Sequence, residues 1–186
     1  AATQLHAIHT STSGSISYEI GGWAAPWGIE YRLDRLGGMV LLVLTSIAAV
    51  TLSVSRRLLQ DEVPEDRHHL FFAIFLLCLA GLSGIVSTGD LFNVFVFLEI
   101  ASLSSYVLIS LGRSRRALVA AFQYLVMGTI GSTFILIGIG LAYMMTGTLN
   151  MADLSERLTM TLGSVYAEGA SIENPELPVN QTRTIL

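Results

Sequence analysis

Glu99 is the side chain whose type and placement promise the most chemistry. It stands alone in LFNVFVFLEIASLSSYVLISLG, Leu91 to Gly112, a run long enough to cross a bilayer and otherwise free of charge. A carboxylate near mid-membrane costs roughly 2.5–3.5 kcal/mol on insertion scales, and ionisable groups there mark ion or proton paths. The competing reading is a packing carboxyl hydrogen-bonded to a neighbour, a task Gln would fill without an ionisable group. Glu99 is therefore the expected proton-carrying centre.

At 100° per residue, Phe92, Phe95, Ser102, Leu103, Tyr106 and Ser110 fall within about 60° of Glu99. That face is apolar on one side of the carboxylate and hydroxyl-bearing on the other. Ser102, Tyr106 and Ser110 could order waters that carry a proton to it, or hydrogen-bond to a neighbouring helix, and the two readings are compatible. Gln123 lies about a turn and a half into the next apolar run. It needs hydrogen-bond partners in a dry place, so it is grouped with the same path. His68 and His69 flank the mouth of another apolar run, where an imidazole with a pKa near 6.5 could collect protons. Interfacial histidines with no special task are the plainer reading. His6 and His9 have helical spacing but no third ligand nearby, so no metal site is expected, and the single Cys78 reads as a small apolar packing residue.

The elements that hold these residues are membrane spans. Mean hydropathy is +0.63 and 13% of the 186 residues are charged, about half the share of an ordinary soluble domain. Four apolar runs account for this, at about 36–55, 70–89, 91–112 and 117–146, each at or beyond the ~20 residues that span the hydrocarbon. The expected class is an all-α polytopic membrane protein.

All ten basic residues are Arg. Arg56, Arg57 and Arg67 fall between runs one and two, and Arg113, Arg115 and Arg116 between runs three and four. By the positive-inside rule both links are cytoplasmic, which puts both ends of the segment outside. Arg32 and Arg35 oppose this and are outnumbered. The net charge of −4 with no basic stripe gives no sign of nucleic-acid binding.

Residues 1–35 are not membrane-like. Ser15–Ile20 and Gly28–Leu33 read as an extramembrane hairpin around GGWAAPW. The four spans occupy 36–148. Asn150 is a plausible N-cap with Asp153 in the first turn, so 149–162 reads as a short amphipathic helix, and 163–186 as a polar loop. Asn180 to Thr182 fits a glycosylation sequon and is read as chance.

Three segments in order, GGWAAPWGIEYRLDRL, TGDLFNVFVFLEIASLSSYVLISLG and AFQYLVMGTIGSTFILIGIGLAYMMTGTLNMADL, together resemble the proton-translocating subunits shared by Mrp-type cation/proton antiporters and respiratory complex I, over roughly residues 14–158. The antiporter D subunit is the nearest likeness, with complex I and membrane-bound hydrogenase subunits behind it. The resemblance implies a fold of about fourteen transmembrane helices containing two inverted five-helix repeats, of which this segment holds the third to sixth helices. It matches Glu99 to the family's essential fifth-helix glutamate, whose lysine partner lies on a broken seventh helix, expected beyond Leu186. Many relatives carry a lysine where this chain has Gln123. The implied activity is exchange of Na+ or K+ for protons in the bacterial cytoplasmic membrane, alongside other membrane subunits and lipid. The alternatives are a pumping subunit of a complex I-like or hydrogenase assembly, and a structural membrane subunit without transport. No nucleotide loop, metal cluster, haem site or hydrolytic triad occurs, so no cofactor or catalytic site is expected in this chain.

Overall fold

A computed structural model describes residues 14–173. The hairpin pairs β1 (Ser15–Glu19) with β2 (Glu30–Asp34), antiparallel, in the register Ser15 to Asp34 through Glu19 to Glu30. Five helices follow: α1 (Arg35–Glu62), α2 (His68–Ser87), α3 (Leu91–Ser110), α4 (Arg115–Thr146) and α5 (Met151–Glu173). Side chains start four of them, the fourth being α5, capped by Asn150. Asp34 Oδ1 accepts from Gly37 N at 2.7 Å, Asp90 Oδ1 from Asn93 N at 2.8 Å and Ser114 Oγ from Ala117 N at 3.2 Å, each satisfying an orphan donor of a first turn.

All four expected spans are helices long and apolar enough to cross a membrane. Two boundaries differ from the sequence reading. α1 does not stop near Ser55 but runs on through the charged stretch to Glu62, because Leu59 and Val63 at its end bury themselves with Leu111 against Phe71, Phe72 and Ile74. It ends where Pro64 forces Val63 into extended backbone, φ −122°. α5 continues to Glu173, so residues 163–173 are helical where a loop was expected. No proline interrupts the chain between Asn150 and Pro175, and glycines alone only weaken a helix. His6, His9, the rest of the expected loop and the Asn180 sequon lie outside the described residues.

The links gather at two ends. At one, Arg113 N donates to Glu62 O at 3.1 Å and Arg113 Nη2 to Val63 O at 3.4 Å, so both Arg-bearing links share that end. His68 Nε2 lies 3.1 Å from Val63 O and 3.3 Å from Leu59 O, satisfying carbonyls at the C-terminus of α1.

At the other end the hairpin, the turn Thr88–Asp90 and the segment before α5 are tied together. Gly89 N donates to Glu30 O at 2.8 Å, Met151 N to Gly89 O at 2.9 Å and Leu91 N to Leu149 O at 2.8 Å. Asn150 is buried at the centre. Its Nδ2 donates to Glu30 Oε2 at 3.1 Å, and its Oδ1 accepts from Ala152 N and Asp153 N, which makes it the cap of α5. Asn150→Leu removes the cap and one donor to Glu30 together, an expected loss of about 1–3 kcal/mol, seen as faster proteolysis of α5 in the membrane-embedded protein. Asn150→Asp keeps the cap but sets a carboxylate against Glu30, so it should rescue only part of that loss.

Arg157 completes this end, donating from Nη1 to Thr146 O at 2.8 Å and from Nε to Asp153 Oδ1 at 3.0 Å. Arg157, with the Thr148 hydroxyl adding to its effect, holds the Asp153 carboxyl below its ordinary value of 3.8. A carboxyl lowered in the fold favours folding above its ordinary value and loses that contribution as pH falls through the lowered one. Protection of the amides in the first turns of α5 against exchange should therefore be steady from pH 8 to 5 and fall only below about pH 4. Arg157→Ala should lower that protection at neutral pH and flatten its fall in acid.

Candidate site around Glu99

α3 is sandwiched between α2 and α4, and the sequence explains both seams. On the α2 side small residues let the backbones meet. A Cβ at Gly81 would lie 2.8 Å from Ala101 N and 3.0 Å from Phe97 O, and a Cβ at Gly84 would enter the Phe97 ring. Cys78 packs here too, its Sγ 3.5 Å from Ser105 Oγ. Ala101 and Ser105 lie more than about 100° around the helix from Glu99. The carboxylate is therefore turned away from α2.

On the other seam Tyr106 is 8% exposed, its hydroxyl seated on Gly128 of α4 and its ring edge-to-face with Tyr124 at 4.9 Å and 81°. Seven residues separate Glu99 from Tyr106, about 20° of rotation and ~10.5 Å of rise. Glu99 thus occupies the α4-facing stripe, two turns nearer the hairpin end, and is half-buried. Along α4, Ala121, Gly128, Ser132 and Ile139 fall within about 20° of one line, and Ala121, Ser132 and Ile139 are buried. No described residue donates a hydrogen bond or offers an ion pair to the Glu99 carboxylate.

The four path residues separate. Ser102 and Tyr106 share the stripe with Glu99, and neither hydroxyl has a hydrogen-bond partner among the described residues. Ser110 lies on the same line but donates to Val107 O at 2.7 Å, as Ser104 and Ser105 off the stripe donate to Ile100 O and Ala101 O. Gln123 is not brought to them. It is exposed, about 200° around α4 from Ala121, on the same far face as Ile130, Phe134 and Leu141, which are exposed as well. Within this segment α4 itself stands between Gln123 and α3. His68 is engaged with the end of α1 as described, and His69 is exposed.

Gly128 and Ser132, four residues apart, form a small-residue packing surface. Tyr124 was not singled out, although its 60° offset from the Ala121–Ile139 line could have placed it beside α3. Among the described residues no three His, Cys, Asp or Glu side chains are grouped to hold a metal ion.

Residues 88–172, which include Glu99 and the seam of α3 with α4, match the family model described as NADH:quinone oxidoreductase/Mrp antiporter, TM. That segment carries the family's membrane domain. It is 45% identical over 147 residues to the N subunit of the NADH-quinone oxidoreductase of Desulforudis audaxviator, covering 79% of this chain and 29% of that protein. It is 38% identical over 149 residues to the D subunit of the Na(+)/H(+) antiporter of Bacillus subtilis, covering 80% of this chain and 29% of that one. Among solved structures, the Mrp complex of Dietzia sp. matches with a TM-score of 0.64 at 25% identity, over 97% of this chain and 36% of that one. An archaeal membrane-bound sulfane sulfur reductase matches at 0.72 and 32%, over 83% and 31%. The chain therefore spans about 29% of the length of the curated relatives named.

Proposed function

We propose that this chain is part of the proton-translocating membrane subunit of a multisubunit Na+ or K+/proton antiporter, with Glu99 as the residue that takes up and releases the proton. The observation that carries this is the Glu99 carboxylate itself. It is half-buried in an apolar span, faces away from α2 along the α4 seam, and receives no donor from any described residue. A carboxyl in an apolar span exchanges protons only with what is brought to it, and a cation brought beside it is its natural counter-charge. Supply of that cation in turn, by a lysine of a further helix as the family resemblance implies, converts charge movement into proton movement. One charge moved through 100 mV is worth about 2.3 kcal/mol, enough to couple a small swing of the pair to the membrane potential.

The Arg-bearing end is cytoplasmic in this reading, and the hairpin and α5 lie outside a bacterial cytoplasmic membrane. Other membrane subunits and lipid cover the exposed apolar faces. The likeness to the N subunit of the quinone oxidoreductase favours a second reading, a pumping subunit of a complex I-like assembly in which quinone reduction elsewhere drives the protons.

Everted vesicles carrying the complete complex, with a pH-sensitive dye inside, separate the readings. Antiport requires a pH change on addition of Na+ or K+ that Glu99→Gln removes. A response to NADH alone transfers the protein to the complex I side. A cation response unchanged by Glu99→Gln, with the complex assembled, leaves a structural subunit.

A further inference from the structure

We propose that Tyr106 is the proton relay between the Arg-bearing end and Glu99, and that Gly128 and Tyr124 of α4 are the positioning residues that hold its hydroxyl in the path. This inference rests on the role of Glu99 given above. Three observations converge on it.

Tyr106 is more than nine-tenths buried as a residue, and its hydroxyl, which keeps some accessible area, has no protein partner among the described residues and so is left to water. The hydroxyl sits directly on Gly128. A Cβ there would collide with it and lie 2.8 Å from the ring carbon that bears it, so only glycine admits the phenol. Tyr124 meets the ring edge-on at 4.9 Å and fixes its tilt.

The contrast with the serines sharpens the assignment. Ser104, Ser105 and Ser110 each donate to a carbonyl of their own helix, as membrane serines commonly do. Ser102 and Tyr106 keep their protons uncommitted, and both lie on the Glu99 stripe.

The ~10.5 Å of helix between Tyr106 and Glu99 is bridged by Ser102 and intervening water. In the relay step a hydronium on the Ser110 side gives its excess proton to the phenol oxygen and is left as water, while the phenol's own proton passes to a water on the Ser102 side, which becomes the hydronium. Two O–H bonds form as two break, and Tyr106 is neutral before and after.

The test uses the complete complex in everted vesicles and compares cation-driven proton flux in wild type, Tyr106→Phe, Gly128→Ala and Glu99→Gln, each normalised to assembled complex. Tyr106→Phe keeps the ring and its contact with Tyr124, so assembly should be unchanged while flux falls about a hundredfold or more. The remaining flux should show a larger H2O/D2O ratio than wild type, because the proton hop now limits it. Gly128→Ala should do the same where it assembles.

Full flux in Tyr106→Phe beside a silent Glu99→Gln overturns the relay and leaves the role of Glu99 standing. A fall in flux with an unaltered isotope ratio overturns it too, since a packing defect has that signature. If Glu99→Gln transports normally, the reading beneath the relay has failed, whatever Tyr106→Phe does.

Discussion

Glu99→Gln in the full-length complex is expected to lower cation-driven proton flux by two to four orders of magnitude, the range lost when a positioned proton-transfer group is removed. The amide fills the same volume and cannot exchange a proton. Assembly should survive, because no described residue donates to the Glu99 carboxylate and the substitution orphans no protein donor. That separation of transport from assembly distinguishes a working carboxylate from a packing one. Glu99→Asp retains the titratable group but withdraws it by one methylene along a stripe whose next hydroxyl is on Ser102. Its flux should lie between wild type and Glu99→Gln, measured in the same vesicles.

Gly81→Leu is expected to have the largest effect on the fold. At Gly81 the obstacle to a side chain is the backbone of α3, with Ala101 N only 2.8 Å from the first added carbon, and backbone cannot rotate aside as a side chain can. Overpacking of a close seam commonly costs about 1–3 kcal/mol, and a rigid neighbour leaves no route to relaxation. Recovered complex should fall sharply and its melting temperature with it. Gly163→Ala in α5 is the matched control. A Cβ there meets nothing within 4 Å, so it should be neutral or slightly stabilising through helix propensity. Equal recovery of Gly81→Leu and Gly163→Ala would show that α2 and α3 do not meet as described.

The spans were legible because 20 apolar residues in water have no other stable home, and the hairpin because its strands flank a Gly- and Pro-bearing turn. The extension of α1 was hidden by its composition. Arg56–Glu62 looks like a surface link, and only the docking of Leu59 and Val63 against α2 makes it a helix. The clasp between Glu30 and Asn150 joins residues 120 positions apart, and no local pattern encodes such a pair.

At the site, rotation about α3 was enough to align Glu99 with Ser102, Tyr106 and Ser110. It could not tell which hydroxyls were already spent on the helix's own carbonyls, since that depends on rotamer. Nor could it orient Gln123. One polar residue in a long apolar run carries no phase of its own, and the phase of α4 is set by Ala121, Gly128, Ser132 and Ile139 on the opposite side. Tyr106 above Gly128 is a contact between two helices and became visible only with both in place.

The most direct measurement of Glu99 itself is infrared difference spectroscopy on the purified complete complex, recorded as cation is added and compared with Glu99→Gln. A carbonyl stretch of a protonated carboxylic acid that changes with cation in wild type and is missing in Glu99→Gln is the expected result. A transporting complex whose carboxylic-acid bands are identical in the two proteins would show that Glu99 does not carry the proton.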